Sequence, residues 1–330
     1  MTQATLHIEI RKWPLKAPFH ITGYSWEEVE ALVVRVEQDG VAGWGEAAGV
    51  YYRGETVLSM AQQLEGVREV VESGLDRVAA QKILPPGGAR NALDCALWDL
   101  EAKQTGLPVW RIAGLSEPRP LVTTFTCGAD APNAMATAAA AHAQARAIKL
   151  KLTGTPDDKD RVTSVRDRRP DVWLGVDANQ GFTRSSLEKL MPTLIDARVS
   201  LIEQPFPIGE EAWLDGFASP IPVAADESMQ NLSDLPAMEG RFSVVNIKLD
   251  KCGGLTEGLA IARAAREAGL DLMVGCMVAT SLAMAPGYVL GQLCTVVDLD
   301  GPIALKSDRT PSSTYDKGLF SSPPSLWGNP

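Results

Sequence analysis

Asp177, Glu203 and Asp226 each stand at the end of a short aliphatic run, and Lys149, Lys151 and Lys248 do the same. If those runs are strands of one sheet, the three carboxylates meet at its carboxyl edge. In a partly dry cavity they would repel one another unless a cation joined them. A ligand set of oxygens alone, without His or Cys, favours a hard divalent ion, and positions left open for a substrate favour Mg²⁺. The same acids could instead cap the following helices, but three in register make that the weaker reading. Glu227 neighbours Asp226 and, by strand alternation, is expected to point the other way and sit behind the ligands.

Lys149 and Lys151 are two residues apart and share a strand face, so each raises the cost of charging the other, and Lys151 is expected to be the usable base. Lys248 stands four strands further on, which in a closed eight-stranded sheet is the opposite wall. A substrate carboxylate on the cation would then lie between two amines. An α-proton could leave on one side and return on the other, which is racemisation or epimerisation. Lys251, just before Gly253-Gly254, is expected to be a solvated charge.

The elements that must position these groups follow from periodicity. Strand-like runs recur roughly 25 residues apart, at Val122–Cys127, Ala147–Leu152, Val172–Asp177, Ser200–Glu203, Val223–Ala225, Val244–Lys248, Leu270–Gly275 and Thr295–Leu299, with helical stretches between them. That is the period of a (β/α) barrel, whose catalytic groups stand at the carboxyl ends of strands. A doubly wound nucleotide-binding sheet would want Gly-x-Gly-x-x-Gly after an early strand, and the chain has none. The first ninety residues read differently. Strands at Leu6–Arg11, Glu30–Val36 and Gly40–Ala47, with Asp39-Gly40 as a hairpin turn, precede helical patterns from Thr56 to Val71 and from Ala89 to Gln104. The stretch Ala134–Ala147 reads as a packed helix, and Ser307–Pro330 as a surface segment without periodicity.

Composition narrows the function classes. With 330 residues, 45% of them hydrophobic and 22% charged, the chain can bury a large core and is neither disordered nor a disulfide miniprotein. Its 31 basic and 41 acidic residues leave a formal net charge of −10, which repels nucleic acid and anionic membranes alike. No apolar run reaches membrane-spanning length, and the polar start Met1-Thr2-Gln3 lacks a signal core, so a cytoplasmic location is expected. Five scattered cysteines without Cys-x-x-Cys read as buried thiols, and His7, His20 and His142 have no ligand spacing.

The motifs Lys149-x-Lys151, Asp177-x-Asn179, Glu203-Gln204-Pro205, Asp226-Glu227-Ser228 and Asn246-Ile247-Lys248-Leu249, together with Asn91-Ala92-Leu93-Asp94-Cys95-Ala96-Leu97-Trp98-Asp99-Leu100, resemble the muconate-lactonizing subgroup of the enolase superfamily over nearly the whole chain. The resemblance implies an α/β fold, a (β/α)₇β modified TIM barrel with an N-terminal α+β capping domain. The implied boundaries are 1–118 for the capping domain, 119–306 for the barrel and 307–330 for a tail returning over the capping domain. It also implies Mg²⁺ on Asp177, Glu203 and Asp226, acid/base catalysis by Lys151 and Lys248, Lys149 beside the substrate, and Asn179 and Glu227 behind the metal ligands.

Asp298-x-Asp300 resembles the Asp-x-Asp motif of dipeptide epimerases, where it holds the α-ammonium of the first residue while the second residue's carboxylate sits on the metal. A solvated acidic turn before Gly301-Pro302 is the plain alternative. The segment Pro18–Tyr24 lacks the Arg that members acting on dipeptides ending in Glu tend to carry there; Arg53 could substitute, and Phe19, His20 and Tyr24 could line an apolar pocket. The expectation is a Mg²⁺-dependent epimerase of L-Ala-Xaa dipeptides. The alternatives are an N-acylamino acid racemase, an o-succinylbenzoate synthase, a cycloisomerase or a noncatalytic binding barrel. Assembly into a homo-oligomer is permitted but not specified.

Overall fold

The computed structural model describes residues 3–21 and 23–330; Met1 and Thr2 of the polar start, and Thr22 of the Pro18–Tyr24 segment, lie outside the described residues. Strands β1 (Ala4–Ile21), β2 (Tyr24–Gln38) and β3 (Val41–Ala47) form an antiparallel sheet in that order. Asp39 and Gly40 both take positive φ, 53° and 78°, as a two-residue hairpin turn requires. The first two strands continue far beyond the third, with Lys12 opposite Glu30, Phe19 opposite Trp26 and Ile21 opposite Tyr24. The expected loop at Pro18–Tyr24 is therefore mostly the tip of a long hairpin. The register shifts between Pro14 and Phe19, and this bulge docks on the barrel: Leu15 bridges Leu305, and Lys306 N donates to Pro14 O at 2.9 Å.

Helices α1 (Val57–Gly66), α2 (Arg68–Glu72), α3 (Arg77–Ile83) and α4 (Gly88–Thr105) complete this domain. The single helical pattern read from Thr56 to Val71 is thus broken at Val67. Nearly all of α4 is buried, and it lies so close to β3 that a Cβ on Gly43 would stand 2.1 Å from Ala96 O. Helix backbone cannot yield as a side chain can. Gly43→Ala is therefore expected to cost about 1–3 kcal/mol, as overpacking does; an unchanged urea midpoint would contradict that close approach.

From residue 121 the chain builds a barrel. After β4 (Leu121–Val122), eight parallel strands follow in sequential order: β5 (Thr124–Cys127), β6 (Ala147–Lys151), β7 (Trp173–Asp177), β8 (Leu201–Glu203), β9 (Val223–Ala225), β10 (Val244–Lys248), β11 (Asp271–Gly275) and β12 (Val296–Val297). Alternation explains their sequences. Ile148 and Leu150 face the surrounding helices, whereas Leu201, Ala224, Val244 and Met273 fill the barrel floor. Polar residues appear one or two positions later on those inward faces, which puts them above the floor.

The seam between β5 and β12 is closed by side chains. Thr123 Oγ1 donates to Val297 O at 3.4 Å and accepts from Leu299 N at 3.0 Å. No long helix follows β12, only the turn Gly301–Ala304, so the architecture is a (β/α)₇β barrel with an N-terminal capping domain. The segment after residue 306, read as having no periodicity, contains β13 (Thr314–Asp316) and β14 (Leu319–Ser321), the latter pairing with β4. It then reaches α4, where Trp327 Nε1 donates to Cys95 O at 3.0 Å and Gly328 N to Asp99 Oδ1 at 2.7 Å. Across the domain joint the Arg90 guanidinium donates to Cys252 O at 2.6 Å and pairs with Glu257. Among the described residues no helix is long and apolar enough to cross a membrane.

Candidate active site

A cavity of about 720 Å³ opens where the hairpin arches over the carboxyl ends of the barrel strands. Its base is built by strand alternation. Lys149 and Lys151 point inward from β6, Asp177 and Glu203 end β7 and β8, Asp226 follows β9, and Lys248 ends β10, all of them buried. One oxygen from each of Asp177, Glu203 and Asp226 lies within 4.8 Å of the other two. Lys151 Nζ sits 2.5 Å from Asp177 Oδ2, and Lys248 Nζ 2.7 Å from Asp226 Oδ2. Since β6 and β10 are four strands apart in an eight-stranded ring, the two amines approach the acidic trio from opposite walls.

The electrostatics fit a divalent ion. Burial first, and then the charge of Asp177, push the Glu203 carboxyl up to about 7. Glu203 Oε2 accepts no hydrogen bond, although Lys149 Nζ lies 3.3 Å away. Asp226 behaves oppositely: burial works against its charge, but Lys248 and Lys251 outweigh it and hold the carboxyl well below the usual range. Burial likewise opposes the Lys248 ammonium, and Asp226, Glu203 and Glu227 together hold it well above the usual lysine value. Five buried carboxyl groups, Asp177, Glu203, Asp226, Glu227 and Asp298, and the half-buried Asp300 face four lysines, Lys149, Lys151, Lys248 and Lys251. The upward push of burial and neighbouring acids on Glu203 and Glu227 shows that acid outweighs base here, an imbalance that a divalent cation on the all-oxygen trio would relieve.

Lys251 corrects an expectation. It is not solvated but 1% exposed, on the short helix Leu249–Cys252, and donates to Asp226 Oδ1 at 2.6 Å, Asp226 O at 2.5 Å and Asn246 O at 3.0 Å. Two of the ammonium protons thus hold the candidate ligand Asp226 and the third ties Lys251 to the β10 backbone. The helical turn brings residue i+3 back under the strand end, a step hidden when the segment is read as loop. Strand alternation does not govern Glu227, because β9 ends at Ala225; its carboxylate accepts from Asn179 Nδ2 at 3.3 Å. Burial and the charges of Asp226 and Asp177 push it up to about 8.

Sequence reasoning also passed over Gln204 and Asn246. Gln204 Oε1 accepts from Asp226 N at 2.9 Å while its Nε2 donates to Ser228 Oγ at 2.7 Å, which fixes the turn carrying Asp226. Asn246 Nδ2 donates to Glu203 Oε1 at 2.7 Å. Its position two before Lys248, on the same inward face, was the available signal.

Across the barrel, Asp298 accepts from Lys149 Nζ and Thr124 Oγ1, so its charge is answered from within the protein. Asp300 accepts from Thr126 N at 2.6 Å and has no ion-pair partner among the described residues; burial and Asp298 push it up to about 6. Of the capping-domain candidates, Phe19 lines the cavity, whereas Tyr24 and Arg53 do not. Tyr24 is 43% exposed and stacks behind Trp26 at 5.6 Å. Arg53 is exposed, and its guanidinium donates to Gln230 Oε1 at 3.5 Å. Trp26 and Tyr51, which sequence reasoning missed, line the cavity beside Phe19. All five cysteines are free; Cys95, Cys127 and Cys252 are buried, but Cys276 and Cys294 are only half-buried, and Cys276 faces the cavity.

Two family models cover most of the chain: "Mandelate racemase / muconate lactonizing enzyme, N-terminal domain" over residues 3–114 and "Enolase C-terminal domain-like" over residues 133–300. The chain is 39% identical over 317 residues to an L-Ala-D/L-Glu epimerase of Escherichia coli, covering 95% of this chain and 98% of that protein. It is also 39% identical over 309 residues to an N-acetyl-D-glutamate racemase of Pseudoalteromonas sp, covering 90% and 95%. The crystal structure of a dipeptide epimerase from Methylococcus capsulatus, complexed with Mg and the dipeptide L-Arg-D-Lys, matches with TM-score 0.90 and 30% identity over 98% of each chain. Matched in both domains, and carrying the acidic trio between two opposed lysines, the chain belongs to the mandelate racemase/muconate lactonizing enzyme family of the enolase superfamily.

Proposed function

We propose that the protein is a Mg²⁺-dependent dipeptide epimerase that inverts the α-carbon of the C-terminal residue of L-Ala-Xaa substrates. The observation that carries this reading is the pair of lysines, Lys151 and Lys248, on opposite walls of one acidic trio. Asp177, Glu203 and Asp226 would hold the ion, with Asn179 and Glu227 behind them. Mg²⁺ bound there would neutralise the charge that builds on the substrate carboxylate as its α-carbon loses a proton.

The chain's own residues do the rest. One lysine, as the free amine, takes the α-proton from its face. The other, as the ammonium, returns a proton from the opposite face, so the configuration inverts. Lys149, fixed by Asp298, adds a positive charge on the β6 wall that favours the carboxylate end of the substrate. Asp300, half-buried and without an ion-pair partner among the described residues, would receive the substrate's α-ammonium beside Asp298, holding the dipeptide at its far end. The barrel floor closes the site from below, and the capping hairpin lines the cavity above it.

The N-acetyl-D-glutamate racemase relative supports a second reading, in which the amino end is acylated and Asp300 has no cation to meet. Incubation in D₂O with Mg²⁺ decides between them. A dipeptide epimerase incorporates deuterium at the C-terminal α-carbon of L-Ala-L-Xaa substrates and forms the L,D isomer, while N-acetylamino acids react far more slowly. Exchange confined to N-acetylamino acids would establish the second reading, and exchange with neither would sink both.

A further inference from the structure

Resting on the dipeptide reading, the next question is which side chain the reacting residue carries. With its carboxylate at the acidic trio and its α-carbon between Lys151 and Lys248, that residue cannot point its side chain down, because Leu201, Ala224, Val244 and Met273 fill the floor. The side chain must rise toward the capping hairpin. There the wall is aromatic. Phe19 and Trp26 stack at 6.4 Å across paired strands, Tyr51 packs its edge against Trp26 at 5.0 Å, and all three line the cavity. Tyr24 backs both Trp26 and Tyr51, which holds the wall in place.

The charges on this wall run against an acidic side chain. Lys12 is held between Glu28 at 3.0 Å and Glu30 at 3.2 Å, so two carboxylates answer one ammonium. Glu55 is committed to Gly88 N and Val50 N. Lys16, the other lysine of the hairpin on the cavity, donates to Ile303 O at 2.8 Å in the turn after β12, on the Asp300 side. Arg53 is exposed and off the wall. Lys16 has no carboxylate partner among the described residues, but its Nζ is turned to Ile303 O, so the wall formed by Phe19, Trp26 and Tyr51 itself presents no cation. A side-chain carboxylate set against that wall would lose hydration and gain no partner, whereas an apolar or aromatic group would bury its surface on existing rings.

We infer that the cavity selects dipeptides whose C-terminal residue is large and apolar or aromatic, such as Leu, Phe or Tyr, and discriminates against acidic ones, with Trp26 and Phe19 as the residues that set this preference. The test is kcat/KM for epimerisation of L-Ala-L-Phe, L-Ala-L-Tyr, L-Ala-L-Leu, L-Ala-L-Glu, L-Ala-L-Lys and L-Ala-L-Ala, followed by proton NMR. The first three should exceed the Glu dipeptide by about tenfold or more, the scale on which pocket contacts discriminate. Trp26→Ala and, independently, Phe19→Ala should each reduce kcat/KM for L-Ala-L-Phe several-fold more than for L-Ala-L-Ala. Turnover of L-Ala-L-Glu equal to or better than that of L-Ala-L-Phe, L-Ala-L-Tyr and L-Ala-L-Leu would overturn the inference while leaving the epimerase reading intact. Absence of exchange from every dipeptide would overturn both.

Discussion

Lys151→Ala and Lys248→Ala should each lower epimerisation by about 10²–10⁴-fold, the usual contribution of a positioned acid or base. The more telling result is what survives. Each amine reaches the reacting carbon from only one wall, so a variant that keeps one lysine can still exchange the α-proton of one stereoisomer with solvent, without inverting it. Mixed with L-Ala-L-Xaa in D₂O, one variant should therefore label the substrate while the other leaves it unlabelled, and the pattern should reverse with L-Ala-D-Xaa. Labelling of the same isomer by both variants would mean that the amines share a face, and the two-base route would be lost.

Lys251→Met should be the most damaging substitution outside the groups that meet substrate. It removes three hydrogen bonds from a site that is 1% exposed and leaves Asp226 Oδ1 and the Asn246 carbonyl without their donor. Breaking a buried pair from one side costs about 3–5 kcal/mol, because the remaining charge stays desolvated. Denaturant unfolding should show that loss. The same change frees the Asp226 carboxylate to turn, so Mg²⁺ affinity measured by titration calorimetry should fall by about 10–100-fold, the scale for losing a group that orients a metal ligand. A variant as stable as the parent, with undiminished Mg²⁺ affinity, would show that Lys251 fills space rather than holding Asp226.

The two substitutions differ in how readily the sequence disclosed them. Lys248 was legible because it ends the strand-like run Val244–Lys248, and alternation by two places its side chain with Asn246 inside the ring. Lys251 was misread because the turn after that run is a four-residue helix, too short to leave a periodic signal. Trp26 and Tyr51 escaped for another reason: both lie on the capping domain, remote in the chain from the trio, and only the docking of the hairpin bulge on Leu305 and Lys306 brings them over the barrel.

By itself the sequence determined the order of strands and helices, the acids and lysines at the strand ends, and hence the class of ion and the kind of proton transfer they suit. These rest on local rules: a period of two along strands, turn residues with positive φ, and the repulsion of like charges at one edge. Only the tertiary structure decided that Asp298 is already paired while Asp300 is not, that Lys251 braces a ligand, and that aromatic rings rather than Arg53 close the cavity. Those outcomes depend on distances between groups far apart in the chain, and such distances are set by how two domains pack, which no local pattern of residues encodes.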